Sequence, residues 1–95
     1  MKTERELQKE CLKYARDLGF FARKVETPHY RGFPDCLFIF EGSVFFVEFK
    51  HPNNRGRLSE HQKMDILKLE DAGVAVHVVN DFKVFKNIIA GVAGL

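Results

Sequence analysis

The sequence predicts an α/β domain in the order α-β-β-β-α-β-α, a mixed central sheet flanked by helices. Three observations lead there. Thr3-Glu4-Arg5-Glu6 and Ser59-Glu60-His61-Gln62 both have the Ser/Thr-x-x-Glu/Gln form in which cap and third residue satisfy each other's backbone at a helix start. Between them lie two apolar runs, Cys36–Phe40 and Val44–Phe49, joined through Glu41-Gly42-Ser43, which is a hairpin pattern. After the second helix comes Val74–Val79, nearly all apolar, as a buried central strand reached by a helical crossover would be.

The elements follow in order. From the Thr3 cap, Leu7, Cys11, Tyr14, Ala15 and Leu18 recur at helical spacing, and Gly19 supplies the stop. Glu6 serves the cap and, like Glu10, lies off that stripe. Glu4 sits one turn before Leu7, on the side facing the core. A carboxylate there commonly answers the helix dipole, but its direction also makes it a candidate third acidic group beside the sheet. Phe20–Glu26 reads as the first strand, and residues 27–34 as a loop carrying His29, Tyr30 and Arg31. A polar loop, His51–Arg57, follows the hairpin. The second helix opens at Ser59, with Met64, Ile66 and Leu67 as its apolar stripe running on to Ala72, and Gly73 ends it. Asp81 caps a last helix from Phe82 to about Val92.

The hairpin poses the chemical question. With the turn centred between Glu41 and Gly42, Phe40 faces Ser43, Phe38 faces Phe45 and Asp35 falls opposite Glu48. Opposed residues have Cβ atoms about 4.5–5.5 Å apart, and like charges there repel. Alternation sets Phe46, Glu48 and Lys50 on one face, and Phe45, Val47 and Phe49 on the other. A hard divalent cation such as Mg²⁺ would turn the carboxylate repulsion into ligation. The alternative is a strand-starting aspartate with a solvated charged rim, and a three-residue loop would spoil the register altogether.

Composition narrows the classes. A chain of 95 residues suits one domain, 1–95, and 45% hydrophobic with 29% charged residues excludes a disordered chain. A net charge of +2 does not by itself mark a nucleic-acid binder, so distribution decides. Lys50, His51, Arg55, Arg57 and Lys63 lie just beyond the acidic end of the hairpin, and Arg23, Lys24 and Arg31 precede it. Cations around a carboxylate pocket suit a polyanion held over a metal; a mixed solvated surface is the alternative. Cys11 and Cys36 lack Cys or His partners at zinc spacing and read as small core hydrophobes in a reducing compartment. No run approaches the roughly 20 apolar residues of a membrane span, and the N-terminus has no signal pattern. The expectation is a cytoplasmic protein without a membrane partner.

Taken together, Arg31-Gly32-Phe33-Pro34-Asp35, Phe45-Phe46-Val47-Glu48-Phe49-Lys50 and Gly56-Arg57-Leu58-Ser59 leading to Gln62 resemble the VRR-NUC domain of the PD-(D/E)XK, restriction-endonuclease-like superfamily. A literal Val-Arg-Arg is absent, which touches no metal or catalytic position. The start Glu4-Arg5-Glu6-Leu7 resembles the first helix of archaeal-type Holliday junction resolvases in the same superfamily. The resemblance implies that Asp35 and Glu48 bind Mg²⁺ or Mn²⁺, with the backbone carbonyl of Phe49 as a third ligand. It implies that Glu4 contributes through a water or a second metal, that Lys50 helps the attacking water or offsets phosphate charge, and that Gln62 positions the lysine or a phosphate. A lysine beside two carboxylates keeps its proton more readily, which favours an electrostatic helper over a general base. Arg31, His51, Arg55, Arg57 and Lys63 would contact nucleic acid.

The expected function is a Mg²⁺- or Mn²⁺-dependent, structure-specific DNA endonuclease. Stand-alone members of this family resemble junction resolvases in being dimers, so a homodimer cutting four-way junctions is expected. Its interface would draw on Phe20, Phe21 and Tyr30, or on Phe82, Phe85, Ile88 and Ile89. The competing class is a catalytically silent nucleic-acid-binding or scaffold relative of the same fold. Loss of Asp35, Glu48 or Lys50 would favour that class, and all three are present.

Overall fold

The computed structural model describes residues 2–52 and 57–95 of the chain. The elements are α1 (Glu4–Asp17), β1 (Phe21–Lys24), β2 (Cys36–Phe40), β3 (Ser43–Phe49), α2 (Glu60–Asp71), β4 (Ala75–Val79) and α3 (Phe82–Ala93), in the order the sequence predicts. The sheet runs β1-β2-β3-β4, antiparallel across the first two pairings and parallel across the third. It is therefore mixed. No helix among the described residues is long and apolar enough to cross a membrane.

Local chemistry explains where the elements start. Thr3 accepts the Glu6 N–H at 3.1 Å while Glu6 accepts the Thr3 N–H at 3.0 Å, closing both halves of the cap of α1. Ser59 and Gln62 repeat the arrangement at α2, and Asp81 caps α3 by accepting the Lys83 N–H. Between β2 and β3 the chain turns in two residues, Glu41 at φ 47° and Gly42 at φ 85°. Positive φ at both positions is the type I′ hairpin, whose twist matches that of paired strands. The register follows as expected, with Phe40 opposite Ser43 and Phe38 opposite Phe45.

That register divides the sheet into two unlike faces. Cys36, Phe38, Phe45, Val47, Phe49 and Val79 form one, packed with Leu7, Cys11, Leu12 and Ala15 of α1 and Phe85 and Ile89 of α3. The Phe38 ring stacks on Phe45 with centroids 5.3 Å apart and meets Phe85 at 5.3 Å. Each fully buried phenylalanine contributes about 1.5–3 kcal/mol, so this face supplies most of the hydrophobic stabilisation. Cys11 and Cys36 are buried free thiols here, pushed up to about 12 by burial, and they act as small hydrophobes. α2 lies across the other face, where Gln62 reaches Glu48.

Four expectations are corrected. β1 is Phe21–Lys24, shorter than Phe20–Glu26, because Phe20 turns into the core and stacks on Phe40 at 4.6 Å. β4 is an edge strand with only Val79 buried; an apolar run does not distinguish an edge from a central strand. The stripe of α2 is not core: no residue of α2 is buried, and Met64 and Leu67 are 54% and 56% exposed. On α1, Leu18 is the exposed C-cap and Leu12 is buried in its place.

The loop before β2 is seated against α2 by Gly32. Its φ is +91°, and a Cβ there would lie 2.4 Å from the carbonyl carbon and oxygen of His61. Gly42 has φ +85° but open space around the same position. Gly42→Ala should therefore cost about 1 kcal/mol from backbone strain alone, while Gly32→Ala adds the backbone clash. Urea unfolding of the two variants tests this: Gly32→Ala should lose at least twice as much stability, and equal losses would remove the contact argument.

Candidate active site

The hairpin register, carried one residue past Cys36–Val47, sets Asp35 beside Glu48 at the open end of the sheet. Asp35 Oδ2 accepts the backbone N–H of Phe49 at 2.8 Å, so the side chain stands where the next rung of the ladder would be. In an extended strand the N–H and C=O of one residue point the same way, which aims the Phe49 carbonyl to the Asp35 side as well. The Lys50 N–H points to the opposite side and donates to the Val79 carbonyl at 2.9 Å.

Glu48, Lys50 and Gln62 form one connected cluster. Gln62 Nε2 donates to Glu48 Oε2 at 2.7 Å, and Gln62 Oε1 accepts from Lys50 Nζ at 2.8 Å and from the Ser59 N–H at 2.9 Å. Lys50 Nζ lies 3.7 Å from Glu48 Oε2, with its side chain only 13% exposed. Beside Gln62 of α2 it is largely withdrawn from solvent, not part of a solvated charged rim. Gln62 thus caps the helix and orders the site with the same side chain. The sequence signals both roles, but their coexistence shows only in three dimensions.

Glu48 is the electrostatic anomaly. The residue is 3% exposed, and its Oε1 is buried without a hydrogen-bond partner among the described residues. Burial, then the neighbouring Asp35 charge, raise its carboxyl from 4.5 to about 8, against the opposing pull of Lys50; Glu4 adds a smaller upward push. Burial also raises the Asp35 carboxyl, against the Phe49 N–H bond that favours its charged form. Glu4 is half-buried at the start of α1, and its charge is among those that act on Glu48. Glu6 is spent on the cap, and Glu10 pairs with Lys2.

Two crowded carboxylates, one with an orphaned oxygen, and a backbone carbonyl on the same side are hard oxygen donors of the kind that suit Mg²⁺ or Mn²⁺. No group of three His, Cys, Asp or Glu side chains poised for a metal exists among the described residues. The protein donors amount to the Asp35–Glu48 pair and the main chain. Magnesium commonly takes one or two carboxylates and completes its shell with water and phosphate.

The expected DNA contacts divide. Arg31, Arg57 and Lys63 are exposed near the site, with Lys63 within 3.3 Å of Glu60. His51 is half-buried at the end of β3. Arg55 lies outside the described residues, as does Gly56 of the Gly-Arg-Leu-Ser segment. Arg23 is drawn onto the Phe21 ring at 4.3 Å.

Comparison with known proteins bears on the whole arrangement. The model of the VRR-NUC domain family matches residues 9–82. A solved structure described as a VRR_NUC domain is similar with a TM-score of 0.81 at 28% identity, covering 94% of this chain and 96% of that one. No curated protein sequence matches.

The raised Glu48 carboxyl makes stability depend on pH. Folding takes up a proton on Glu48 wherever the unfolded chain has released it, from about pH 4.5 to about pH 8. Stability without divalent metal should therefore fall as pH rises through that window, by a few kcal/mol at about 1.4 kcal/mol per pK unit. Thermal melting in chelator between pH 5 and pH 9 measures it. Glu48→Gln should flatten most of the fall, leaving the smaller Asp35 contribution, and an unchanged slope would contradict the assignment.

Proposed function

This chain belongs to the VRR-NUC domain family, a nuclease domain family, and on that premise we propose that it is a Mg²⁺- or Mn²⁺-dependent, structure-specific DNA endonuclease. The observation that carries the reading is the cluster of Asp35, Glu48, Lys50 and Gln62 around a buried carboxylate oxygen that has no partner among the described residues. A structural ion pair has no use for such an oxygen, whereas a cation site does. Asp35, Glu48 and the Phe49 carbonyl would hold the ion, with Glu4 reaching it through water or a second ion. The ion would supply Lewis acidity at the scissile phosphate and activation of the attacking water.

The chain's own residues do the rest. Gln62 fixes the Lys50 ammonium by accepting one of its hydrogens, and the ammonium would offset charge developing on the phosphate. It simultaneously holds Glu48 Oε2, so that Oε1 is the oxygen left for the cation. Arg31, Arg57 and Lys63 are exposed near this end of the sheet and would carry the DNA backbone together with His51; Arg55, which the sequence adds to them, lies outside the described residues. The substrate favoured here is the four-way junction, cut in paired fashion by a two-fold dimer that sets two sites at a fixed separation. Phe20, Phe85 and Ile89 are buried and unavailable to such an interface, whereas Phe21, Met64 and Leu67 are exposed. Cleavage in the reducing cytoplasm agrees with the two buried free thiols.

A metal-supplemented cleavage assay across linear duplex, flap, single strand and four-way junction tests the activity, and light scattering tests the dimer. Asp35→Asn and Glu48→Gln should abolish cleavage while leaving DNA binding unchanged or tighter, since each removes a charge that repels phosphate. Lys50→Ala should lose about 2.7–4 kcal/mol of transition-state stabilisation, as removal of an oxyanion donor does. Full activity in both carboxylate variants would end the proposal. Among the α1 glutamates, Glu4→Gln should slow cleavage far more than Glu6→Gln or Glu10→Gln. Gln62→Glu retains the cap acceptor but loses the amide donor to Glu48. It should slow cleavage at least tenfold with helix content unchanged by circular dichroism.

A further inference from the structure

The loop between β1 and β2 presents a feature that phosphate hydrolysis does not use. Tyr30 is 73% exposed, more than any other aromatic residue. It is held there rather than merely left there. Thr27-Pro28-His29-Tyr30 is a closed turn: the Tyr30 N–H donates to the Thr27 carbonyl at 3.0 Å, and the Thr27 hydroxyl donates to the Tyr30 carbonyl at 3.4 Å. Two residues on, Gly32 abuts the His61–Gln62 backbone, and Phe33 packs edge-on against Phe46 at 5.3 Å. The turn is closed on itself, and the stretch just after Tyr30 is fixed to the elements that carry Gln62 and Glu48.

Tyr30 forms one wall of a groove whose other walls are Phe33, Asp65, Lys68 and Leu69. Its volume is about 260 Å³, below the roughly 300–1,000 Å³ of sites for drug-sized molecules. The lining combines aromatic and aliphatic surface with one carboxylate and one ammonium. Asp65 makes the groove hostile to phosphate but able to accept from an exocyclic amine, and Lys68 stands beside it as a donor. Outside the groove, Arg31 on the loop and Lys63 on α2 are exposed cations that suit the sugar-phosphate chain. Apolar walls with a polar edge, bordered by cations, match a single nucleobase stacked on an aromatic ring.

The spacing agrees with the nuclease reading, on which the inference rests. Helical rise of about 1.5 Å per residue puts Asp65 roughly 4.5 Å and Leu69 roughly 10 Å from Gln62 along α2. A nucleic-acid strand advances about 3.4 Å per nucleotide. The groove therefore lies about one to three nucleotides from a phosphate held at Glu48 and Lys50. We propose that Tyr30 is a stacking platform that receives an unpaired base next to the scissile phosphate, and so makes the domain select branched or locally unpaired DNA over continuous duplex. A paired base cannot enter, because its stacking faces are already covered by its neighbours.

The test is a binding measurement that needs no cleavage. Four-way junctions and forks carrying 2-aminopurine at the branch point, together with matched linear duplex, are titrated with the wild-type protein, Tyr30→Ala and Tyr30→Trp in calcium. Wild type and Tyr30→Trp should quench the unpaired 2-aminopurine. Tyr30→Ala should lose the quench and bind branched DNA about five- to hundredfold more weakly, the equivalent of about 1–3 kcal/mol for one stacked base at 1.4 kcal/mol per tenfold. Its affinity for linear duplex should change less than twofold, and its melting temperature should match wild type. Equal affinity of Tyr30→Ala and wild type for all DNAs overturns the platform. So does a uniform loss on every DNA accompanied by loss of a dimer, which would make the groove a protein interface. Failure of the nuclease reading is separate, since it shows as absence of metal-dependent cleavage by the wild type whatever the stacking result.

Discussion

The side chain of Gln62 is the interaction on which the functional half of the molecule depends. α2 has no fully buried residue, and its inward apolar side chains Ile66 and Leu69 are only half-buried, so its apolar hold on the sheet is partial. What adds to that hold is polar and local: the Gln62 amide to Glu48, the Gln62 carbonyl oxygen to Lys50, and the close approach of Gly32 to the His61 backbone. Only an amide can make this set. A glutamate at 62 could accept from Ser59 and Lys50 but could not donate to Glu48, and an alanine would leave all three groups without their partner. Because these bonds lie in a partly dry site, each counts for more than it would at the surface. Helix position and site geometry are thus one structural fact.

Burying Glu48 costs stability, and the rest of the sheet offsets it. A carboxylate held at 3% exposure beside a second carboxylate is what folding alone would avoid. Phe45, Val47 and Phe49, its neighbours on the same strand, point to the opposite face and are all buried with α1 and α3. β3 therefore carries the best hydrophobic packing and the worst electrostatics of the molecule on alternate residues. The strand stays rigid because one face is locked, and that rigidity keeps the acidic face in an arrangement it would not otherwise adopt. Local rules fail where function is built, and the compensation comes from the neighbouring face.

Which parts of this were legible in the sequence follows from the range of the forces involved. The caps of α1 and α2, the turn at Glu41-Gly42 and the Asp35–Glu48 pairing are consequences of contacts within a few residues or of a two-residue turn that leaves no freedom of register. They could be read directly. The placement of β4 at the edge and the outward face of α2 are decided by which elements happen to lie alongside, and no periodicity records that. Val74–Val79 is as apolar as a central strand, yet only Val79 is buried. Met64 and Leu67 keep helical spacing yet face solvent. For Gln62 the capping role is local and read from the residues, the lysine-positioning role comes from the family resemblance, and the bond to Glu48, 14 positions earlier in the chain, is what neither of them records.

The two faces of the sheet consequently have different work. The α1/α3 face is closed, aromatic and continuous, and it contains the core that a small domain needs in order to fold at all. On the α2 face, the exposed aromatic Tyr30, the partly open groove against Asp65 and Lys68, and the apolar pair Met64 and Leu67 are all left outside the core. Had α2 packed through Met64 and Leu67, the helix would have turned a different face to the sheet, and the groove between Tyr30, Phe33 and Leu69 would not have its present walls. Alongside the hold at Gln62 and Gly32, an open groove remains between Tyr30 and Phe33 of the loop and Asp65, Lys68 and Leu69 of α2. The limited apolar packing under α2 is therefore compatible with the open groove, and the polar clip at Gln62 holds the helix where apolar burial does not.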